Sequence, residues 1–338
     1  MAEFSRKLVL WQRRHGRHGL PWQRTRDPYR IWLSEIMLQQ TQVAAVIPYY
    51  ERFLARFPHI GALAAASEDE VLQLWSGLGY YARGRNLHAA AKIIAAQGFP
   101  TELEKIQELP GVGPSTAAAI AAFAFGRRAA ILDGNVKRVL ARCFGVEGEP
   151  AQWALARKLL PARGIETYTQ ALMDLGATVC TRANPACGRC PVAKDCVALR
   201  EDRIAELPAA RKRKPLPLRR ATWLVLQHQG AVLLERRPSP GIWGGLWVFP
   251  EGPSNHLESF CKKNFSVEIS KAQEMPVIEH GFTHFRLDIQ PIRCSVRRKF
   301  SEKGKTERLW LDIEDAARAA VPAPVKALLS GLLRDQAL

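Results

Sequence analysis

Four of the seven cysteines in the chain are close together, with the spacing C-x6-C-x2-C-x5-C: Cys180, Cys187, Cys190 and Cys196. Pro185, Gly188 and Pro191 interrupt helix formation between them, so a loop can wrap around a bound centre. An odd number of cysteines with one tight cluster is typical of a metal site in a reducing compartment rather than of a disulfide framework. Four thiolates suit a tetrahedral zinc ion or an iron–sulfur cluster, and the spacing alone does not decide between them.

A glycine-rich turn, Gly111-Val112-Gly113, is a second candidate site, and an apolar helix is predicted after it over Ala117–Phe125. The two glycines permit a tight turn, and their amides would lie beside a helix N-terminus, where a phosphate binds without a charged side chain. A plain tight turn between two helices is an equally good interpretation of this segment on its own.

Asp133 follows Gly113 by twenty residues, in the segment Leu132-Asp133-Gly134-Asn135. We predict a turn here and then a helix over Val136–Phe144, with Asn135 as its N-cap. Asp-Gly is common in ordinary turns, but the position of Asp133 behind a phosphate-binding turn favours a functional role.

The elements that carry these residues are predicted to be helical from residue 1 to about residue 200. Asp27 and Pro28 form a cap and first helical position, and the helix they begin is predicted to run to about Gln40. Two capping boxes begin further helices: Ser67 with Glu70, and Thr101 with Glu104. No strand-like alternation occurs in this half.

Residues 203–220 form a predicted linker, basic and rich in proline, with Arg211, Lys212, Arg213, Lys214, Arg219 and Arg220. It is either a solvated charge run or a segment that contacts phosphates. The pattern then changes to β, with a hairpin at residues 228–230. Strands are predicted at residues 223–226, 231–235, 246–249, 282–289 and 308–311, and a helix over residues 324–333.

The composition restricts the class of protein. The 338 residues include 49 Lys and Arg against 32 Asp and Glu, a net charge of +17, which predicts a polyanionic partner: nucleic acid or an anionic membrane surface. The longest apolar run is Ala117–Phe125, too short to span a bilayer, and the N-terminus has no secretory signal pattern. We therefore expect a cytoplasmic protein with Cys143, Cys261 and Cys294 as core residues.

These motifs together resemble the helix-hairpin-helix DNA glycosylases of the endonuclease III superfamily. The matching segments are LPGVGPSTAAAI, LDGNVKRV and the cysteine spacing; WLSEIMLQQTQ at residues 32–42, GLGYY at 77–81 and FTHF at 282–285 resemble its adenine-specific, MutY-type branch. The resemblance implies a multidomain fold: an all-α glycosylase domain over 1–202 with a cluster loop at 180–196, the linker 203–220, and an α+β Nudix-like domain over 221–338.

The resemblance also implies the cofactor and the reaction class. In this family the four cysteines hold a [4Fe–4S] cluster, and relatives that also cut the DNA strand carry a lysine after the Gly-x-Gly-x of the hairpin, where it forms a Schiff base with the sugar. This chain has Ser115 at that position. The implied activity is that of a monofunctional glycosylase, which releases the base and leaves an abasic site.

Cleavage of an N-glycosidic bond requires protonation of the departing base and stabilisation of an oxocarbenium-like sugar. Glu35 is predicted in mid-helix among apolar residues, which should raise its pKa and make it a useful general acid; the alternative is a solvent-facing or salt-bridged carboxylate. By resemblance, Glu35 protonates adenine N7, and an ionised Asp133 faces the developing positive charge and positions the nucleophile.

The remaining roles follow from the resemblance. The implied partner is double-stranded DNA with adenine opposite 8-oxoguanine or guanine. The resemblance also implies a monomeric, cytoplasmic protein associated with a bacterial nucleoid, and it names no protein partner. Gln40 and Tyr80 enter the duplex and an FTH turn reads 8-oxoguanine. The residues assigned to DNA or base binding are Trp22, Gln40, Tyr80, Gly111, Gly113, Ser115, Asn135, Phe282, Thr283 and His284.

Three other functions stay open at this stage. A bifunctional lyase is disfavoured by Ser115. A DNA-binding module or iron–sulfur redox partner without glycosylase activity would not depend on Asp133. A nucleotide hydrolase would need the acidic Nudix helix after Pro250, where the chain instead has GPSNHLE at residues 252–258.

Overall fold

Two units make up the structure, a computed structural model that describes residues 2–209, 215–300 and 307–336. The described residues of 1–65 and 86–212 form the first unit, and those of 66–85 and 213–338 form the second. The sequence divides the chain once, at the predicted linker, whereas in the structure residues 66–85 group with the C-terminal residues. Of that linker, residues 210–214 lie outside the described residues.

The N-terminal half is helical, as predicted, and among its described residues it has no strand. Its helices are α1 (Ala2–His15), α2 (Pro28–Leu38), α3 (Val43–Arg56), α4 (Ile60–Ala65), α5 (Glu68–Trp75), α6 (Ala82–Gln97), α7 (Leu103–Gln107), α8 (Pro114–Phe125), α9 (Gly134–Phe144), α10 (Glu149–Lys158), α11 (Ile165–Thr178) and α12 (Val197–Arg200). Short 3-10 helices lie at Pro21–Arg24, Cys187–Arg189 and Ala193–Asp195.

Helix α2 begins as predicted. The Asp27 carboxylate accepts a hydrogen bond from the Tyr29 amide at 2.9 Å, and Pro28 occupies the first helical position. The helix ends at Leu38 rather than near Gln40, which has a left-handed backbone with φ +56°. A residue in that conformation cannot continue a right-handed helix.

One of the two predicted capping boxes is confirmed. Ser67 Oγ accepts from the Glu70 amide, and the Glu70 carboxylate accepts from the Ser67 amide, at the start of α5. The prediction for Thr101 and Glu104 was wrong: α7 begins one residue later, after Glu102, whose side chain makes no capping bond.

Helix α8 lies at the centre of the first unit. Its residues 117–122 are all buried, because the helix is apolar on every side and α2, α7 and α11 pack around it. It ends at Gly126, which adopts the left-handed conformation with φ +64° that closes a helix C-terminus. Its N-terminus carries the glycine-rich turn, so this buried helix fixes where that turn lies.

The second unit is built on a seven-stranded sheet, counted over the residues that the structure describes, with the order β3-β2-β1-β6-β4 and with β5 on β6 and β7 on β2. Strands β1 and β6 are parallel, and the other pairs are antiparallel. The elements are β1 (Leu218–His228), β2 (Ala231–Arg236), β3 (Trp247–Val248), α13 (Leu257–Phe265), β4 (Val267–Glu274), β5 (Ile278–Gly281), β6 (Arg286–Lys299), β7 (Arg308–Asp312), α14 (Ile313–Arg318) and α15 (Ala323–Gln336).

Two predictions for this half needed correction, and four of its elements were missed. The last three residues of the predicted linker, 218–220, already belong to β1, so Arg219 and Arg220 are strand residues. The predicted strand over 282–289 begins only at Arg286, because residues 282–285 form a turn. Strands β4 and β5 and helices α13 and α14 were not predicted.

None of the described helices combines the length and the apolar composition needed to cross a bilayer.

Candidate active site and cysteine centre

Glu35 lies in the wall of a cavity of about 290 Å³ in the first unit. Burial and, to a smaller extent, the nearby Asp133 carboxylate raise the pKa of its carboxyl to about 8. This is the shift predicted from its apolar neighbours. The cavity is lined by Gln12, His18, Trp22, Gln23, Thr25, Arg26, Ile31, Ser34, Glu35, Phe123, Glu166, Thr167 and Gln170.

Asp133 is the N-cap of α9. Its Oδ1 accepts a hydrogen bond from the Val136 amide at 2.8 Å. The prediction that Asn135 caps this helix was therefore wrong: α9 begins at Gly134, two residues earlier than predicted. A carboxylate at this position lies at the positive end of the helix dipole, which suits a negative charge.

Ser115 fixes the chain just before Asp133. Its Oγ accepts a hydrogen bond from the Leu132 amide at 2.9 Å, across 17 residues of sequence. The hydroxyl on α8 thereby holds the extended segment from which the Asp133 side chain projects. The sequence analysis used Ser115 only to argue against a lyase, because serine has no amine, and it did not predict this hydrogen bond.

The glycine-rich turn has the geometry predicted for it. Gly111 has φ +79°, and a Cβ there would lie 2.9 Å from the Cβ of Asn86, so the position requires glycine. Gly113 is the N-cap of α8, and a Cβ there would meet no described atom within 4 Å. Gly113 and Pro114 are both exposed, so the N-terminus of α8 lies at the surface of the first unit.

Arg138 connects the Asp133 region to the cysteine loop. Its guanidinium donates to Asn135 Oδ1 at 2.8 Å, to the Gly176 carbonyl at 2.6 Å and to the Cys180 carbonyl at 2.7 Å. Asn135 packs so tightly on α11 that a Cβ at Gly176 would lie 2.5 Å from the Asn135 Cβ. The sequence signal for Arg138 was weak, a basic residue one helical turn after Asn135.

Trp22 lies in the cavity wall. It is buried and packs edge-to-face on Tyr50, with ring centroids 5.3 Å apart. The segment that leads to it is held by Asp174, a fully buried carboxylate on α11 that sequence reasoning missed. Asp174 accepts from the Arg17 amide at 2.9 Å, from Arg17 Nε at 2.7 Å and from Gln170 Nε2 at 2.8 Å.

The four clustered cysteines line a single small cavity of about 20 Å³. Among the described residues, no group of three or more Cys, His, Asp or Glu side chains is arranged to hold a metal ion. The four thiols surround this space, and a donor set of four cysteines fits an iron–sulfur cluster.

Two neighbours of these cysteines add polar contacts. Arg142, which is buried, places Nη1 3.6 Å from Cys180 Sγ and donates to the Thr181 carbonyl at 2.7 Å. Cys143, predicted as a core residue, is buried as expected, but a hydrogen bond from its thiol also lowers the pKa of Cys196 to about 6. The S–H donor and the positive charge favour the thiolate of Cys196, whereas burial raises the pKa of Cys187 and raises that of Cys190 to about 11.

Gln40 in the first unit and Tyr80 in the second lie at turns with left-handed backbones, φ +56° and +48°. Gln40 is exposed, and the Tyr80 side chain is 47% exposed even though the Arg83 guanidinium lies 5.4 Å from its ring centroid. An exposed tyrosine on a tight turn is available to stack on a base.

Phe282, Thr283 and His284 form the turn between β5 and β6. Phe282 stacks on Phe285 with centroids 4.4 Å apart, whereas Thr283 and His284 are exposed, with 3.4 Å between Oγ1 and Nδ1. Trp243 packs against the turn, with its ring centroid 5.4 Å from that of Phe282. Its position inside the GIWGG segment is the sequence signal for this support.

Comparisons with known proteins agree with both halves of the chain. A model described as HhH-GPD superfamily base excision DNA repair protein matches residues 33–162, and a NUDIX domain model matches residues 221–331. The adenine DNA glycosylase of Buchnera aphidicola subsp. Baizongia pistaciae is 36% identical over 97% of this chain and 96% of its own length. That of Homo sapiens is 34% identical over 96% of this chain and 73% of its own length.

Solved structures match the helical part. A thermostable thymine-DNA glycosylase is 29% identical, with a TM-score of 0.56 over 59% of this chain and 96% of its own. A non-covalent endonuclease III–DNA complex is 20% identical, with a TM-score of 0.51 over 59% of this chain and 95% of its own, a likeness of fold. The predicted fold class, a helix-hairpin-helix glycosylase fold followed by a Nudix-like domain with a sheet, is confirmed.

Proposed function

We propose that this chain, which belongs to the adenine DNA glycosylase family and removes adenine from DNA, acts on adenine paired with 8-oxoguanine or guanine and uses Glu35 and Asp133 to do so. The observation that carries the proposal is the Glu35 carboxyl, whose pKa is raised to about 8 in the wall of a cavity beside the Asp133 carboxylate. A pair of carboxyl groups in unlike environments is the arrangement that glycosidic cleavage requires.

In this mechanism the extruded adenine enters the cavity beside Trp22. Glu35, protonated near neutral pH because burial disfavours its charged form, donates its proton to N7 of the base. The bond to the sugar then weakens, and the Asp133 carboxylate, held at the N-terminus of α9, lies opposite the positive charge that develops on the sugar. Water completes the hydrolysis and leaves an abasic site.

Ser115 supports hydrolysis over strand cleavage. A lyase needs an amine at this position to form a Schiff base with the sugar, and the Ser115 hydroxyl is engaged with the Leu132 amide instead. Treatment of an enzyme–DNA mixture with borohydride should trap no more adduct than with a lysine-free control protein. An adduct as abundant as that of a true lyase would revive the bifunctional alternative.

DNA is held by the remaining assigned residues. The N-terminus of α8, with Gly111 and Gly113, binds a backbone phosphate, and Gln40 and Tyr80 enter the duplex where the adenine leaves it. Asn135 supports this site through its bond to Arg138. The net charge of +17 is consistent with a steep dependence of affinity on salt.

The direct test of the function is strand scission with a panel of duplexes. Adenine is placed opposite 8-oxoguanine, guanine, cytosine or thymine, and products are separated with and without alkali. Alkali-dependent scission opposite 8-oxoguanine and guanine is the expected result. Absence of scission opposite 8-oxoguanine would contradict the proposal.

The cysteines are proposed to hold a [4Fe–4S] cluster, whose four iron–thiolate bonds would cross-link the loop 180–196. We expect Cys187→Ser to lower the iron content to less than about half that of the unchanged chain and to weaken duplex binding by about tenfold, because the loop would lose one of its attachments. Iron and sulfide analysis and a binding titration measure the two effects. Cys261→Ala, a buried cysteine of α13 outside the cavity, is the matched control and should keep its iron.

Phe282, Thr283 and His284 are proposed to recognise 8-oxoguanine. Replacing Phe282 and His284 by alanine removes the stacked ring and the exposed imidazole of the turn, so the single-turnover rate opposite 8-oxoguanine should fall by about tenfold or more. The rate opposite guanine should change by less than about threefold. An equal loss on both duplexes would contradict the assignment of this turn to the opposite base.

A further inference from the structure

The Gly77–Tyr80 loop is tied at both ends to a single backbone carbonyl of the C-terminal fold, that of Val321. Ser76, just before the loop, donates its hydroxyl to this carbonyl at 2.8 Å. Tyr81, just after the loop, donates its hydroxyl to the same oxygen at 3.4 Å and accepts from the Gly77 amide at 3.4 Å. Both flanks of the loop therefore meet at one buried acceptor between α14 and α15.

Helix α5 leads into this loop and is seated in the core of the second unit. Leu72 is fully buried in a cluster that includes Trp243, Leu246 and Val321. Gln73 Nε2 donates to the Arg318 carbonyl at 2.6 Å. The helix that precedes Tyr80 is thus packed in the same hydrophobic cluster as residues of β1 and β2.

The inner side of the loop is fixed as well. Trp75 Nε1 donates to the Gly79 carbonyl at 3.1 Å, and Arg83 Nη2 donates to the same carbonyl at 3.2 Å. The Arg83 guanidinium lies 5.4 Å from the ring centroids of both Trp75 and Tyr80. The two bonds to the Gly79 carbonyl and the contact of Arg83 with the Tyr80 ring restrict the orientation of that ring.

Trp243 links this anchored segment to the turn between β5 and β6. Its ring packs in the same cluster as Leu72 and lies 5.4 Å from the Phe282 centroid. Tyr80 and the exposed side chains of Thr283 and His284 are therefore carried by one continuously packed body.

We propose that Ser76 and Tyr81 are positioning residues that tie Tyr80 to the body carrying the Phe282–His284 turn, so that discrimination of the base opposite adenine depends on their shared Val321 anchor. The inference rests on the proposed function, in which Tyr80 enters the duplex beside that base. It assigns a specificity role to two hydroxyls that donate to the Val321 carbonyl.

The test combines Ser76→Ala with Tyr81→Phe, which removes both hydroxyls and leaves the Tyr80 ring intact. We expect the ratio of single-turnover rates opposite 8-oxoguanine and guanine to fall about tenfold, as for the loss of one buried and one partly buried hydrogen bond. In a Tyr80→Ala background the same pair should change this ratio by less than about twofold, since residues that act through one group are not additive. Ser259→Ala, which removes a hydroxyl bonded to the His256 carbonyl, is the matched control.

A second readout does not depend on catalysis. A fluorescent purine analogue placed next to the base opposite adenine should change its emission on binding the unchanged chain, and the Ser76→Ala/Tyr81→Phe chain should lose most of that change while its melting temperature stays within a few degrees. The inference would be overturned if the double substitution lowered the rate ratio equally in the unchanged and the Tyr80→Ala backgrounds. It would also be overturned if the Ser76→Ala/Tyr81→Phe chain kept the full fluorescence change. In both cases the excision assay would still support the function. If the unchanged chain excises no adenine, the proposed function fails, and the fluorescence response alone then decides whether the hydroxyls position Tyr80.

Discussion

Asp133→Asn should reduce the single-turnover rate of adenine excision by about 10³-fold or more and leave the affinity for the duplex within about threefold. The substitution removes the negative charge opposite the developing positive charge of the sugar, a contribution of the size that a charge placed for the transition state makes. Asparagine caps a helix as well as aspartate does, so the bond from the Val136 amide and the start of α9 should persist. The rate is measured with enzyme in excess over an adenine:8-oxoguanine duplex, and affinity by titration of a labelled duplex.

A matched control uses the other aspartate cap of the first unit. Asp27→Asn makes the same chemical change at the N-terminus of α2, where the Tyr29 amide is the donor. Its rate should stay within about twofold of that of the unchanged chain, because an N-cap tolerates the exchange. If Asp133→Asn retained a tenth of the rate or more, Asp133 would be a helix cap and no more.

Local sequence signals predicted the elements whose ends are determined by nearby residues. Asp27 with Pro28, and Ser67 with Glu70, begin helices where their side chains can reach the first amides, so the prediction depended only on a few adjacent positions. Glu35 was predicted to have a raised pKa because the residues that bury it include its own helix neighbours. The four cysteines were predicted as one site because they are close in sequence.

Long-range contacts determined what could not be predicted. Asp133 and Asn135 are both good caps. The choice of Asp133 goes with the bond between the Ser115 hydroxyl and the Leu132 amide, 17 residues apart, which holds the segment before Asp133 extended. The bond between Ser76 and Val321 spans 245 residues, so no local pattern reveals it. Residues 282–285 resemble a strand in sequence, but stacking of Phe282 on Phe285 closes them into a turn.

Glu35→Gln should lower the excision rate by about 10²- to 10⁴-fold, the usual contribution of a general acid. Glutamine has nearly the same shape and can donate a hydrogen bond, but it cannot transfer a proton to adenine N7, so the base would have to leave as an anion. Because glutamine carries no charge into the cavity wall, folding should not suffer. Single-turnover rates and a thermal melt measure the two effects.

The pH profile separates proton donation from a merely structural role. Burial and the Asp133 carboxylate raise the pKa of Glu35 to about 8, so the acid is protonated below that pH and loses its proton above it. In the unchanged chain the rate should therefore fall about tenfold for each pH unit above 8, and this fall should be absent from Glu35→Gln. Glu104→Gln, an exposed glutamate on α7, should reproduce the unchanged profile. A fall above pH 8 that persists in Glu35→Gln would assign the proton to another group, since no titrating carboxyl would then remain at position 35.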